Sequence, residues 1–111
     1  MTIFTKRDNG TVDILAADTV IFTVQDNERI AVSYLSSFST AATTVTYFRS
    51  PDDTSAAGEQ LDEQIFTVSS RSDIGGVVGA GFSAGERIIA VGLATGVNAT
   101  MAYTLYDGDD V

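Results

Sequence analysis

Apolar and polar positions alternate with a period of two residues through much of the chain. Such alternation predicts β-strands with one buried face. The predicted strands are Val20–Val24, Arg29–Ser36, Thr43–Arg49, Ile65–Val68, Arg87–Leu93 and Ala99–Tyr106. No stretch shows a convincing helical period. Strands this short and this evenly spaced are typical of a β-sandwich or jelly roll, so we expect a single all-β, antiparallel sandwich domain.

The same alternation assigns side chains to faces. In the second predicted strand, Ile30, Val32 and Tyr34 share one face. Tyr47 and Tyr103 likewise share their strand faces with Val, Leu or Met. Because these neighbours are apolar, we expect all three tyrosines in the core rather than on a sugar-binding surface.

Polar or glycine-rich segments separate the predicted strands. Gln25–Glu28 has the residue types of a turn, because Asp and Asn bond to their own backbone and tolerate left-handed conformations. Residues 37–42 are small and polar, and we expect a bend there. Residues 52–63 form the most polar stretch and are predicted to be an exposed loop, and residues 71–85 a long glycine-rich connection.

The two ends differ from the body of the chain. Residues 1–10 are predicted to be a flexible N-terminal arm, followed by the β-sandwich domain at 11–106 and an acidic C-terminal tail at 107–111. The arm combines apolar and basic residues in an otherwise acidic chain. We therefore expect it to contact another protein and to become ordered on assembly, through Ile3, Phe4, Lys6 and Arg7.

Composition supports the all-β prediction and excludes several functions. Val, Ile and Thr make up 33 of the 111 residues, and these residue types suit a pleated surface. A net charge of −9 repels nucleic acids. The chain has no Cys and no His, which excludes disulfides, thiolate sites and imidazole bases. We expect neither a signal peptide nor a transmembrane segment, and synthesis in a reducing cytoplasm.

Gly76–Gly85 resembles a pyrophosphate-binding loop only in its glycine content. The dinucleotide fingerprint requires a buried strand before it, a helix after it and an acidic residue about 20 positions on. Here a predicted strand follows the segment, and no acidic residue lies between Glu86 and Asp107. We expect a tightly turning loop and no cofactor.

Carboxylate pairs do not form a convincing catalytic site. Asp52/Asp53, Asp62/Glu63 and Asp109/Asp110 lie in polar segments, where solvation keeps both members of a pair ionised. Ser and Thr lack a His to activate them, so we expect no enzyme. The segment 107–110 offers Ca²⁺ some oxygen ligands but lacks the others that an EF-hand supplies, so no metal is expected.

The order of strands and turns carries one resemblance. The pattern begins with Phe22-Thr23-Val24, followed by a polar turn and a long strand. It continues later with Ala84-Gly85-Glu86, a strand and then Val97-Asn98-Ala99-Thr100. Over about Asp18 to Tyr106, this pattern resembles the small β-sandwich structural proteins in virions of tailed bacteriophages. The proline usual in the first turn of that family is replaced here by Gln25-Asp26.

The resemblance implies a non-enzymatic virion protein. Such modules serve as capsid decoration or cement proteins, head fibres, or neck and tail components, often as trimers. The prediction is a capsid decoration protein that binds the assembled shell multivalently, with other copies of itself and the major capsid protein or other virion proteins as partners, and with neither nucleic acid nor membrane. The alternatives are a neck or tail component, or a β-sandwich that binds a carbohydrate or a host receptor.

Overall fold

The computed structural model describes residues 4–15, 17–93 and 96–107, and their side chains except at 4–9 and 106–107. Every regular element in these residues is a β-strand, which confirms the all-β prediction. The strands are β1 (Phe4–Ile14), β2 (Asp18–Thr23), β3 (Glu28–Ser39), β4 (Thr43–Ser50), β5 (Glu59–Phe66), β6 (Ser70–Asp73), β7 (Gly81–Ser83), β8 (Arg87–Gly92) and β9 (Val97–Asp107).

Two antiparallel sheets pack against each other. The larger sheet has the order β1-β9-β3-β6, with β7 also paired to β3, and the smaller has the order β2-β8-β4-β5. The chain crosses between the sheets at almost every connection, and β4–β5 and β6–β7 are the connections within one sheet. This strand order is that of a jelly roll, in which β6 and β7 together occupy one strand position.

The apolar residues that alternate along the strands meet between the sheets. Both sheets contribute, and so do the glycine-rich segment before β7 and the turn after β2. The core residues, each no more than 8% exposed, are Ile14, Ile21, Val24, Ile30, Val32, Leu35, Val45, Tyr47, Phe66, Ile74, Val77, Phe82, Ile88, Ala90, Val97, Ala99, Met101 and Tyr103.

The six predicted strands correspond to β2, β3, β4, β5, β8 and β9, with shifted ends. The largest difference is β5, which begins at Glu59 inside the predicted 52–63 loop. The polar sequence of β5 does not show the alternation of a half-buried strand. An edge strand exposes one face and one backbone edge to solvent, so it needs few apolar residues. Residues 71–73 of β6 and all of β7 lie inside the predicted 71–85 connection for the same reason, since both are short edge strands that pair with β3.

The structure corrects the predicted N-terminal arm at residues 4–10. Phe4–Ile14 forms β1, which pairs with β9 from Phe4↔Tyr106 to Ile14↔Val97. The register shifts between Asp8 and Gly10, and Gly10 has φ 77°. A glycine in this left-handed conformation lets a β-bulge absorb one extra residue, so the strand continues through Asn9-Gly10. Residues 1–3 and the tail residues 108–111 lie outside the described part of the chain.

A second bulge changes the faces of β3. The ladder with β9 shifts between Val32↔Tyr103 and Tyr34↔Ala102. One extra residue reverses the alternation that follows it, so Leu35 is fully buried and Tyr34 is 41% exposed. The prediction that Tyr34 lies in the core is therefore wrong, whereas Tyr47 and Tyr103 are buried as predicted.

The glycine-rich segment at 74–80 closes one open side of the sandwich. Gly79 donates its N–H to the Val32 carbonyl at 2.7 Å, and Val77 is fully buried. Gly76 lies against β5, where its N–H donates to Asp62 Oδ2 at 2.9 Å. A Cβ at Gly76 would overlap the Leu61 carbonyl oxygen and lie 2.8 Å from the Asp62 Cβ. The segment is thus a tight turn that joins the two sheets.

Gly76→Ala should lower the free energy of unfolding by about 1–3 kcal/mol, because the new methyl group forces β5 and the 74–80 segment apart. Gly75→Ala is the matched control, since a Cβ there meets nothing within 4 Å. Urea unfolding of both variants measures the difference. Equal stability of the two variants would contradict the close packing at Gly76.

Deleting residues 1–9 tests whether this segment belongs to the domain. The deletion removes the pairing of Phe4 to Asp8 with β9, and each ladder hydrogen bond contributes about 0.5–1.5 kcal/mol. We expect a loss of at least roughly 2 kcal/mol in urea unfolding. A flexible arm would leave the unfolding midpoint unchanged.

Candidate functional site

The predicted interaction residues lie mostly in an edge strand. Phe4, Lys6 and Arg7 are in β1, opposite Tyr106, Thr104 and Tyr103 of β9. Ile3 lies outside the described residues, and the side chains of the other three are also outside them.

The four loops at one end of the sandwich contain no charged residue. They are residues 15–17, 40–42, 67–69 and 93–96, which connect β1–β2, β3–β4, β5–β6 and β8–β9. The register places them together, because Ile14 and Ser39 both pair with Val97. In the other sheet, Val45 pairs with Gly92 near the same end.

Large apolar side chains are exposed on this end. Leu15 is 58% exposed, Val68 66% and Leu93 75%, and Ile65, one residue before the end of β5, is 71% exposed. A cleft of about 360 Å³ opens beside Leu15, lined also by Asp13, Ile14, Gly96, Val97 and Asn98. We call the described residues of these four loops, with Ile65 and the cleft, the apolar end; Asp13 in the cleft lining and Asp18 at the start of β2 border it.

The opposite end is acidic. Its loops connect β2–β3, β4–β5 and β7–β8, and they carry carboxylates but neither Lys nor Arg. These carboxylates are Asp26, Asp52, Asp53 and Glu86. The two ends of the molecule therefore differ in polarity, which the net charge alone does not reveal.

The loop at 51–58 folds back over the outer face of the smaller sheet. Ser55 donates its N–H and its hydroxyl to the Asp18 carboxylate, at 2.8 and 3.0 Å. Arg87 donates to the Pro51 carbonyl at 2.8 Å. Ile89 alternates with the core residues of β8 and so faces away from the core, yet it is fully buried. We conclude that the loop is an ordered cover over this face.

The Asp52 carboxylate of this loop is stabilised in its ionised form. Hydrogen bonds from the Thr54 N–H and hydroxyl, both at 2.9 Å, lower the pKa of Asp52 below its usual range. Its neighbour Asp53 lies 2.6 Å from the Arg87 guanidinium. A general acid needs a raised pKa, so the environment of Asp52 acts in the opposite direction.

In the part of the chain that the structure describes, no three or more Asp or Glu side chains form a group that could hold a metal ion. Within the same ranges, the strand β7 interrupts the glycine-rich segment and no helix follows it. The described chain also contains no helix long and apolar enough to span a membrane.

The outer face of the larger sheet presents Tyr34 among small polar residues. The hydroxyls of Ser33 and Thr104 lie 3.2 Å apart, and those of Thr11 and Thr100 lie 3.0 Å apart. On the same face, the Arg71 guanidinium covers the Phe38 ring, 5.7 Å from its centroid. Among the described side chains of this face, the exposed aromatic ring is that of Tyr34.

A hydrogen bond crosses the core between the two sheets. The Tyr47 hydroxyl donates to Ser37 Oγ at 2.7 Å, and both residues are fully buried. Burial raises the pKa of Tyr47 to about 12, although the Ser37 hydrogen bond lowers it. The contact fixes the lateral position of β3 against β4 and stabilises the scaffold rather than a surface site.

The sequence pattern does not predict the apolar end, because two of its residues fall inside predicted strands. Val68 and Leu93 were the last residues of predicted strands, but β5 ends at Phe66 and β8 at Gly92. The signal that could have found the site is the residue type in the connections. Ala, Leu and Val occupy them, where turns usually carry Asp, Asn, Pro or Gly.

Comparisons with known proteins establish the fold alone. No protein-family model matches the chain, and no curated protein matches it. A solved structure described as "Bacillus endospore appendages form a novel family of disulfide-linked pili" is similar, with a TM-score of 0.55 and 12% identity. The match covers 96% of this chain and 88% of that one.

Tyr47→Phe should lower the free energy of unfolding by about 1–3 kcal/mol at neutral pH, because Ser37 loses its buried partner. The substitution should also change how the free energy of unfolding depends on pH at alkaline pH. The folded state keeps the Tyr47 proton up to about pH 12, whereas the unfolded state releases it near pH 10. Stability is therefore lost as the pH rises through this window, by about 3 kcal/mol.

The variant should lose this part of the pH dependence. Tyr34→Phe is the matched control, since it removes the hydroxyl of an exposed tyrosine. Urea unfolding at pH 8 to about pH 11 measures both effects. The same alkaline slope in the wild type and in Tyr47→Phe would rule out Tyr47 as the titrating group.

Proposed function

We propose that this chain is a non-enzymatic structural subunit that acts in many copies, and specifically a capsid decoration protein of a tailed bacteriophage. The observation that carries the proposal is the polarity of the sandwich, with exposed leucines and valine at one end and carboxylates at the other. A rigid jelly roll with one adhesive end suits repeated contacts in an assembly.

The fold supports the structural class. The similar solved structure is, by its description, one of appendages that form pili. Jelly rolls also occur in viral capsids, lectins and cupins, so topology by itself does not choose among them. The chain contains no cysteine, so any assembly that it forms uses no disulfide of its own and depends on non-covalent contacts.

The surface chemistry supports attachment rather than catalysis. The chain has no His or Cys, and hydrogen bonds stabilise the ionised form of Asp52. The outer face of the larger sheet is built largely from Thr, Ser and Ala, which lose little side-chain entropy when they become ordered. Weak contacts of this kind become firm when several copies engage together.

The virion assignment follows the strand and turn pattern between Asp18 and Tyr106. All of the strands in that pattern are present, and the polar turn is closed by the Glu28 N–H bonding to the Gln25 carbonyl at 3.2 Å. We propose the exterior of the capsid as the location, with other copies of this chain and the major capsid protein as partners.

The copy number per virion and the position in an electron-microscopy map test the assignment. On the order of hundreds of copies on the shell are expected for a decoration protein. About a dozen copies or fewer, at the neck or tail, would replace it with a tail-component function. Absence from purified virions, shown by mass spectrometry, would overturn the virion proposal.

A carbohydrate-binding function is the second candidate, and the exposure of Tyr34 favours it. Tyr34 is 41% exposed on a face that also carries Phe38 and Arg71. Aromatic rings with polar neighbours suit the faces of sugars. Glycan-array binding that is lost in Tyr34→Ala would support this candidate, and no binding to the array would remove it.

A further inference from the structure

We infer that the outer face of the larger sheet binds a neutral oligosaccharide at a row of four side chains, Asp13, Asn98, Phe38 and Arg71. The inference deepens the carbohydrate-binding candidate and rests on it, because it names the residues that hold the glycan and the class of glycan that they select. Strand pairing, side-chain chemistry and charge each support it.

The register of the larger sheet brings these residues into one row. Asp13 of β1 pairs with Asn98 of β9. Asn98 in turn pairs with Phe38 of β3, and Phe38 pairs with Arg71 of β6. Paired residues of antiparallel strands point to the same face of a sheet. Neighbouring strands lie about 4.8 Å apart, so a row across four strands is about 14 Å long, which leaves room for more than one sugar unit.

The Asp13 end of the row faces solvent and adjoins a cleft. Ile14 and Val97, the next residues along β1 and β9, belong to the core, so strand alternation turns Asp13 and Asn98 outward. The cleft has a volume of about 360 Å³, and its lining residues are Asp13, Ile14, Leu15, Gly96, Val97 and Asn98. A sugar ring in this cleft contacts both the carboxylate and the amide.

The polar groups of Asp13 and Asn98 are available to a ligand. Neither side chain forms a hydrogen bond or an ion pair with the residues that the structure describes. A carboxylate accepts hydrogen bonds, whereas an amide both donates and accepts them. Because sugar hydroxyls also donate and accept, adjacent Asp and Asn side chains suit two neighbouring hydroxyls. Such a site selects strongly for ligands that carry those hydroxyls.

Phe38 and Arg71 add an apolar surface and further donors to the row. The Arg71 guanidinium covers the Phe38 ring and donates to Ser36 Oγ at 3.3 Å. Since a guanidinium has several N–H groups, Arg71 retains donors for a ligand. An apolar surface beside hydrogen-bond donors suits a sugar, which has C–H faces and polar edges. Tyr34, four positions before Phe38 in β3 and about 13 Å from it, extends this surface for a longer glycan.

Charge selects neutral rather than acidic glycans. The chain has a net charge of −9. Asp13 lies on this face, and Asp73 does too, because it follows Arg71 by two positions in β6. Carboxylate or sulfate groups on a glycan are repelled by these side chains, whereas neutral hydroxyls donate hydrogen bonds to them.

A peptide is a poorer occupant of this row. Peptides that bind to sheets commonly add a strand at a free edge. At Asn98 and Phe38 the backbone is already paired with strands on both sides. Only side chains are left to bind a ligand at these two positions, which favours a molecule rich in hydroxyl groups over an extended peptide.

A glycan array with neutral and acidic oligosaccharides tests the inference, with the full chain displayed in several copies on a labelled carrier to raise its avidity. We expect binding to neutral glycans. NMR titration of the full chain with the neutral glycan that binds best should then give a Kd on the order of 1 mM for one site. The backbone amide signals of the row residues should shift in that titration. Binding confined to acidic glycans, or shifts only outside the row, would overturn the inference.

Asp13→Asn should weaken glycan binding at least about tenfold, because an amide replaces the charged acceptor. Asn98→Ala should have a similar effect. Asp26→Asn is the matched control, since it makes the same substitution at an exposed aspartate near the opposite end of the sandwich. Thermal melting confirms that each variant is folded. Equal binding by Asp13→Asn, Asn98→Ala and Asp26→Asn would contradict the inference.

The outcomes separate this inference from the carbohydrate-binding candidate. Glycan binding that is lost in Tyr34→Ala but unchanged in Asp13→Asn and Asn98→Ala removes the row and leaves the candidate function in place. No binding to any glycan removes both. Binding to neutral glycans that both row variants lose and Asp26→Asn keeps supports both.

Discussion

The ladder between β3 and β9 is the constraint on which the rest of the structure depends. These strands pair from Glu28↔Asp107 to Ser39↔Val97, and β1, β6 and β7 all attach to one of them. Since the ladder runs the length of the sandwich, its register determines where every crossing to the smaller sheet begins. The Tyr47–Ser37 hydrogen bond then fixes β3 against β4.

Short crossings between the sheets create the two chemically different ends. A jelly roll must turn at both ends, and connections of three or four residues leave little backbone to bury. At one end those connections are uncharged and expose Leu15, Val68 and Leu93. At the other they are acidic, and the longest of them is held over the smaller sheet by Asp18 and Arg87. The surface pattern thus follows from the topology and from the loop sequences together.

Much of the fold was predictable because period-two alternation reports burial directly. β2, β3, β4, β8 and β9 were found from it, since each has a face against the core. β1 was missed because its polar Lys6–Gly10 stretch shows no alternation and pairs through the backbone, with Gly10 absorbing the bulge. Only Ile65 and Phe66, the last residues of β5, were predicted to be in a strand, because an edge strand can be polar on its exposed face.

The sequence by itself determined the all-β class, the acidic charge and the lack of cysteine and histidine chemistry. Those properties depend on residue types and local spacing, which are independent of how the strands are arranged. Only the tertiary structure decided that Tyr34 faces outward and that four separate loops form one apolar end. The first depends on a single extra residue in β3 and the second on the strand order, because register and topology are set by contacts between residues far apart in the chain.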